Sequence, residues 1–471
     1  MEKHGRIHLQ DVAACAGLAL LFSLSDVINA HIFPLFHDLI PMAKDLGTAT
    51  GIAALLIIAK VAMHRPFPLV TLKLACGFSC LSALGLCGIY FGSAAGWPLV
   101  VVVGAALLSV GSRTVVPLYA CFPLVKLGFN RSLAILLVAQ TIQYPLSAAA
   151  RIDAAIPWVF AAVAPFAISW LAHAGGASEV LDHGKTPRLA DLSIANPHSF
   201  LPFSHIVFLT FAMFNLATGC ALTFLANEGV PQSTVFSILP PAILLAAWLL
   251  GKPCSANLMV KVSALLILLG FSVVPLAEAS SPVAQGISTA STGLFAIGSS
   301  LFNVVFYLVL SETGRRNRYA SVPLFAFGYA SSRLGFIAGA LVGQAMNRSD
   351  DAAIVVSTAA TFVFAAYAIL ALGKIDFAEL VERVRPIDLS ATGQNVVERE
   401  LEDQCRQASE LFALTPRESE ILALLAQGRS IAVIQEKLVV SKNTVKTHVK
   451  NIYLKLDVHS QQELIDAVRS L

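Results

Sequence analysis

Up to Lys374 the apolar residues come in long unbroken runs, and beyond it they recur at helical spacing between charged positions. Crossing the hydrocarbon of a bilayer takes about 20 mostly apolar residues in a helix. Runs of that kind predict spans at roughly 11–36, 47–63, 69–91, 97–123, 131–150 and 153–173. A polar stretch, GGASEVLDHGKTPRLADLSIANPHSF (Gly175 to Phe200), comes after them. Six further runs lie at roughly 204–227, 231–251, 258–278, 283–311, 320–346 and 352–373. The run at 231–251 is short and its ends are poorly marked, which leaves eleven spans as the alternative to twelve. The first run is longer than the apolar core of a signal peptide and is read as a span.

After Lys374 the segment IDFAELVERVRP ends at Pro386, a helix stop, and LSATGQ reads as a turn. NVVERELEDQCRQASELFAL then restarts a helix. Its apolar stripe, Val397, Leu401, Cys405, Ala408 and Phe412, pairs with a second copy of itself or packs on the terminal domain, unless the helix is a solvated connector. From Leu414 three short helices are signalled. Thr415, Pro416 and Glu418 form an N-cap, a first-turn proline and a capping-box glutamate, and Gly428 ends that helix. Ser430 and Ser441 start the next two. In the helix after Ser441, Val445, Val449, Ile452 and Leu456 must face inward, which leaves Lys442, Asn443, Lys446, Thr447 and Lys450 outward. Two short helices joined by a tight turn, the second lysine-rich and free of acids, form the arrangement that lays a helix in the DNA major groove.

Composition agrees with two solvents for one chain: 56% of residues are hydrophobic, 13% are charged, and the mean hydropathy is +0.73. The net charge of +3 matters less than where it lies. With twelve spans, fifteen lysines and arginines border the segments on the side of the N-terminus, against three (Lys44, Arg151 and Arg348) on the other. Positive charge is held on the cytoplasmic side, so both termini are expected in the cytoplasm of a bacterial cell, with the spans in its inner membrane. The eight cysteines are scattered through apolar runs and the eleven histidines are dispersed. No nucleophile elbow, phosphate-binding glycine loop or metal-spaced set is present, so neither an enzyme, a metal site nor a cofactor is expected.

Ionisable groups inside spans are costly and are either paired or functional. Asp26 and Asn29 share a face of span one, Arg113 lies in span four, Arg333 in span eleven and Glu312 near the end of span ten. Gln140, Gln143, Asn215, Asn303 and Tyr307 add hydrogen-bonding groups. Three readings are open: Asp26 neutralises an arginine while the amides join helices; Arg113 and Arg333 line a central cavity and receive an anionic or carboxylate-bearing ligand; or Asp26 couples protons. The second reading makes Asp26, Asn29, Arg113, Asn215, Asn303 and Arg333 the candidate ligand residues.

Six spans, a long inside loop and six more resemble the major facilitator superfamily over residues 1–374. The loop KVAMHRPFPLVTLK (Lys60 to Lys73) lacks that superfamily's glycine, aspartate and arginine pattern, which argues against transport. Residues 413–471 resemble the LuxR-type helix-turn-helix domain of NarL- and FixJ-like regulators. The strings LTPRE at 414–418, S-x-x-T-V-K-x-H from Ser441 to His448, and Lys455–Leu456 carry that resemblance. It implies that Lys446, Thr447 and Lys450 reach base edges, while Ser441, Asn443, Thr444 and His448 hold phosphates. It also implies a dimer contact through the last helix, Gln461 to Val468, whose apolar side is Leu464, Ala467, Val468 and Leu471. The sequence departs from the family at Ile431 to Gln435, where IAVIQ replaces N-K-E-I-A, and at Asp457 and His459, which replace a glycine and an arginine.

The expected fold is therefore all-α. A polytopic bundle of about twelve spans in two sixes (1–374) is followed by a linker with an amphipathic helix (375–412) and a four-helix LuxR-type domain (413–471). The expected function is that of a one-component transcription regulator: the spans sense a small molecule or a membrane signal, and the tail binds double-stranded promoter DNA as a homodimer and acts on RNA polymerase. A secondary transporter with a regulatory DNA-binding tail is the alternative.

Overall fold

The computed structural model describes residues 8–36, 43–64, 70–150, 152–181, 199–223, 235–276, 282–348, 350–385, 404–438 and 440–469, with residues 189, 193 and 401. The chain divides between Ile387 and Asp388 into two compact units. In the first unit the expected runs are helices: α1 Leu9–Val27, α2 Ala43–His64, α3 Leu72–Ala95, α4 Pro98–Val110, α5 Val116–Lys126, α6 Phe129–Ala149 and α7 Ile156–Ala174. A short α8, Ala177–Leu181, comes next. The later part holds α9 Ile206–Thr223, α10 Leu239–Leu249, α11 Ala256–Val273, α12 Pro282–Arg316, α13 Ser321–Met346 and α14 Asp350–Leu370. Helices α4 and α5 form one continuous span, Pro98–Lys126.

Ten of these segments are long and apolar enough to cross a membrane, and two shorter apolar helices, Ile206–Cys220 and Phe236–Leu249, stand where the seventh and eighth spans were expected. The chain is a multi-pass membrane protein. Large apolar side chains such as Ile57, Phe91, Trp170 and Phe362 lie exposed on its outside, as they must where the solvent is lipid.

The packing repeats itself. Span one packs on span five, three on four and three on six; likewise seven packs on eleven, nine on ten and nine on twelve. Between the halves, span two meets span eleven and span five meets span eight. Those pairings exchange when six is added to each number, as a two-fold relation between halves requires. Small residues permit the closest crossing: a Cβ on Gly335 or Gly339 of α13 would overlap the carbonyl oxygens of Ala212 and Leu216 on α9. Aromatic contacts join the halves, with Phe22 and Tyr307 centroids 5.2 Å apart and Phe122 and Phe325 5.9 Å apart. After α14, a short α15 (Phe377–Arg383) turns back onto the bundle: Asp376 caps it, and Phe377, Leu380 and Val384 are buried.

The second unit has its own core. Residues 404–411 form α16, followed by α17 Pro416–Ala426, α18 Ile431–Leu438, α19 Lys442–Leu456 and α20 Gln461–Arg469. The caps are those the sequence signals. Thr415 accepts from the Glu418 amide while Glu418 accepts from that of Thr415, and Ser441 accepts from the Thr444 amide. Gly428 takes the left-handed conformation that turns α17 into the next helix, at φ +76°. Of the three fates open to the amphipathic stripe, the observed one is packing on this domain: Cys405 and Ala408 are buried in its core, with Leu401 and Phe412 against it. Val397 lies outside the described residues.

Candidate ligand cavity and nucleic-acid interface

Two of the spans leave the α register where they meet. Beyond α1, residues Ile28–Ile32 form a π-helical turn, and beyond α4, Gly111–Val115 form another. Gly111 lets its turn lie directly on α3, since a Cβ there would overlap the backbone of Ser82 and Phe78. The first turn presents Asn29 inward, and the second presents Ser112 and Arg113. The Arg113 guanidinium donates through Nη2 to Asn29 Oδ1 at 2.8 Å and lies 5.3 Å from the ring centroid of Phe33. π-Turns of this kind are rare and gather at functional sites.

The pair stands in the wall of a cavity of about 370 Å³. Its lining comes from spans one, two, four and five and from seven, eight, ten and eleven, the same set shifted by six. All six candidate ligand residues are brought to this one wall: Asp26, Asn29, Arg113, Asn215, Asn303 and Arg333. Gln140, Gln143 and Tyr307 join them. Asp26 accepts from the Ser147 hydroxyl at 3.4 Å, and Asn215 donates back to the Phe211 carbonyl at 2.9 Å. Glu312 is elsewhere, buried and paired with Arg315 at 2.6 Å.

Sequence reading overlooked other members of the wall, among them Thr218, Ser299, Ser300 and Tyr329. A signal for them existed. Thr218 lies three residues after Asn215, Ser299 precedes Asn303 by four, and Tyr329 precedes Arg333 by four, so each shares a helical face with a residue already singled out. Thr218 donates to Ser299 Oγ at 2.8 Å, and Ser300 to the Ser237 carbonyl at 2.8 Å. These bonds tie spans seven and eight to span ten around the cavity.

In the second unit, α19 divides as its sequence pattern demands. Val445, Val449, Ile452 and Leu456 are buried, while Ser441, Lys442, Asn443, Thr444, Lys446, Thr447 and Lys450 are exposed. His448 is half-buried and its Nδ1 has no partner. Helix α17 is fixed to α19 by Lys455 Nζ, which donates to Glu418 Oε2 at 2.8 Å and to the Ala413 carbonyl at 3.0 Å. This ion pair and the Thr415 amide hold the Glu418 carboxyl down at about 2. Asp457 closes α19 in the left-handed conformation, φ 55°, at the position where the sequence departs from a glycine.

In the last helix, Leu464 and Val468 are fully buried in the domain's own core, with Ala467 packed against it. The outward face of α20 is polar, with Gln462, Glu463 and Asp466. Leu471 lies outside the described residues.

Residues 413–468 match the luxR family of bacterial regulatory proteins. The C-terminal unit carries a luxR-type regulatory domain. Within curated proteins, the uncharacterized response regulatory protein YgeK of Escherichia coli K12 is 56% identical over 52 residues, 11% of this chain and 35% of that protein. The transcriptional regulatory protein LnrK of Bacillus subtilis 168 is 40% identical over 91 residues, 18% of this chain and 41% of that protein. The chain thus spans about a third to two fifths of their lengths, and the likeness belongs to the luxR-type domain. For the membrane unit, a bacterial homologue of the iron transporter ferroportin in its outward-facing state aligns at a TM-score of 0.53. The match has 9% identity and covers 77% of this chain and 99% of that one. At that identity the likeness establishes the fold, a transporter-like helix bundle.

Proposed function

We propose that the chain is a membrane-embedded one-component transcription regulator, in which the bundle senses a ligand and the luxR-type domain binds promoter DNA. The observation that carries this reading is the covalent union of a polar cavity inside a transporter-like bundle with an exposed, acid-free recognition helix. Lys446, Thr447 and Lys450 read bases, and Ser441, Asn443, Thr444 and His448 hold phosphates beside them. Lys442 adds charge at the same end. Both termini are cytoplasmic and the spans lie in the bacterial inner membrane, as the distribution of lysine and arginine supports.

A single such module has limited specificity, so the regulator acts on DNA as a homodimer. With Leu464 and Val468 enclosed, the polar outward face of α20 is the surface left to this helix for a second copy. RNA polymerase is the partner through which a promoter-bound dimer acts. The ligand biases the two states only by as much as its affinity for them differs.

A reporter gene under the cognate promoter tests this, comparing the full chain, Arg113→Ala, Arg333→Ala and a soluble fragment of residues 395–471. The expected outcome is DNA binding by the fragment without ligand response, and an altered response in both arginine variants. A ligand response from the fragment would place sensing outside the membrane. The transporter fold supports a second reading, a secondary transporter with a regulatory tail. Uptake of a labelled solute into vesicles, unchanged by removal of residues 413–471, would favour it.

A further inference from the structure

The cavity faces more positive than negative charge. Its wall holds two guanidinium groups, Arg113 and Arg333, and one carboxylate, Asp26. Arg113 is 8% exposed, and beyond its bond to Asn29 its Nε has no partner. The buried Nε of Arg333 has none either. Among the described residues neither arginine forms an ion pair. Both arginines stand in the one cavity wall. The Lys44 ammonium lies 5.5 Å from the ring centroid of Phe336, itself part of the wall. Cations gathered in a space away from bulk water are unfavourable unless an anion sits among them.

Two further features narrow the anion. Gln140 is 2% exposed and neither its Oε1 nor its Nε2 has a partner, so a neutral donor–acceptor group stands unused in the wall. Part of the wall is aromatic: Phe306 lies 5.2 Å from Tyr307 and 5.5 Å from Tyr329, centroid to centroid. The volume of about 370 Å³ lies within the range of small organic ligands.

We propose that the cavity binds a small aromatic carboxylate, its carboxylate held between Arg113 and Arg333, its ring against Phe306 and Tyr307, and a neutral polar group at Gln140. The proposal rests on the sensor reading and names the class of compound sensed. The lining itself carries two guanidiniums and Asp26, and Lys44 is not part of it, so one carboxylate leaves the lining neutral whereas a dianion such as phosphate leaves it negative. A metal cation is repelled by both arginines. Guanidinium forks suit a planar carboxylate, which they bind through paired hydrogen bonds.

The test uses the full chain in lipid nanodiscs and tracks thermal unfolding with benzoate, phenylacetate and indole-3-acetate, each beside its primary amide. Ferrous iron and inorganic phosphate are run in parallel. At least one acid is expected to raise the midpoint saturably while its amide does not. Arg113→Gln and Arg333→Gln each weaken the apparent affinity about ten- to a hundredfold, the loss expected for a charged hydrogen-bond partner. Should a glutamine variant fail to fold, the lysine variant keeps the charge without the fork, and a smaller loss is expected. Equal stabilisation by the amides, stabilisation by iron or phosphate alone, unchanged affinity in the arginine variants, or no shift with any acid at millimolar concentration overturns the proposal. Binding of acids without any change in reporter output sinks the sensor reading and leaves the ligand class standing. Output that answers only to neutral or cationic compounds does the reverse.

Discussion

Replacing Glu418 by Gln removes one charge from the joint between α17 and α19 while keeping the shape of the side chain. Glu418 is 4% exposed and accepts from the Thr415 amide at 2.8 Å and from Lys455 Nζ at 2.8 Å. A carboxyl brought from 4.5 to about 2 corresponds to at most about 3.5 kcal/mol at neutral pH. The Lys455 side chain is 36% exposed, so water screens the pair and about 1–2 kcal/mol is the expected share. For a domain of this size that is about 5–15 °C in unfolding midpoint. The sign fixes the pH window. Because the folded carboxyl is depressed, its contribution is complete above about 4.5 and disappears as the pH falls towards 2. The assay is unfolding of residues 388–471, the compact unit with its own core, monitored by circular dichroism for wild type and Glu418→Gln from pH 7 to 2.5. The gap between the two should be flat down to about pH 5 and then close. A gap of the same size at pH 2.5 as at pH 7, or no gap at pH 7, refutes the reasoning.

Other expectations concern DNA, packing and topology. Lys446→Ala and Lys450→Ala should each weaken binding to a specific site by about 1–3 kcal/mol in anisotropy titrations, while His448→Ala weakens specific and random DNA alike; equal loss on both for Lys446→Ala reduces it to a phosphate contact. Asp457→Gly relieves a left-handed backbone and should stabilise the C-terminal unit by about 0.5–1 kcal/mol, so a lower midpoint contradicts the assignment of strain there. Gly339→Leu should drive α9 from α13 and lower the unfolding midpoint of the detergent-solubilised chain, whereas an unchanged midpoint means the crossing is looser than described. A reporter enzyme fused after Gly373 should report the cytoplasm; a periplasmic signal reverses the orientation.

Hydrophobic length alone located the spans, because lipid leaves a helix no other way to satisfy its backbone. The residues that a bilayer makes expensive, Asp26, Asn29, Arg113, Asn215, Asn303 and Arg333, were visible for the same reason and meet at one cavity. Serines and threonines of the wall were not, because a hydroxyl can bond the carbonyl one turn back and so costs little in any span; Ser112 does so to Leu108. In the luxR-type domain the caps and the inward face of α19 were legible from spacing. For the last helix, an apolar stripe shows that a face is covered without showing by what. In α20 the cover is the domain's own core, and for Cys405 and Ala408 it is that same core rather than a second linker.

The two π-turns make the cavity sensitive to the length of the chain as well as to its composition. Each is an α-helix carrying one residue more than its register accommodates, the mark a single inserted codon leaves when a helix absorbs it by bulging. Removing one residue within 111–115 or 28–32 would let the α ladder close, and the helix beyond would turn by about 100° about its axis. Arg113 and Asn29 sit inside those bulges and would part company, though neither had been substituted. A gap of one position in either segment of a related sequence would thus signify a rearranged cavity wall, even where every polar residue of the wall is retained.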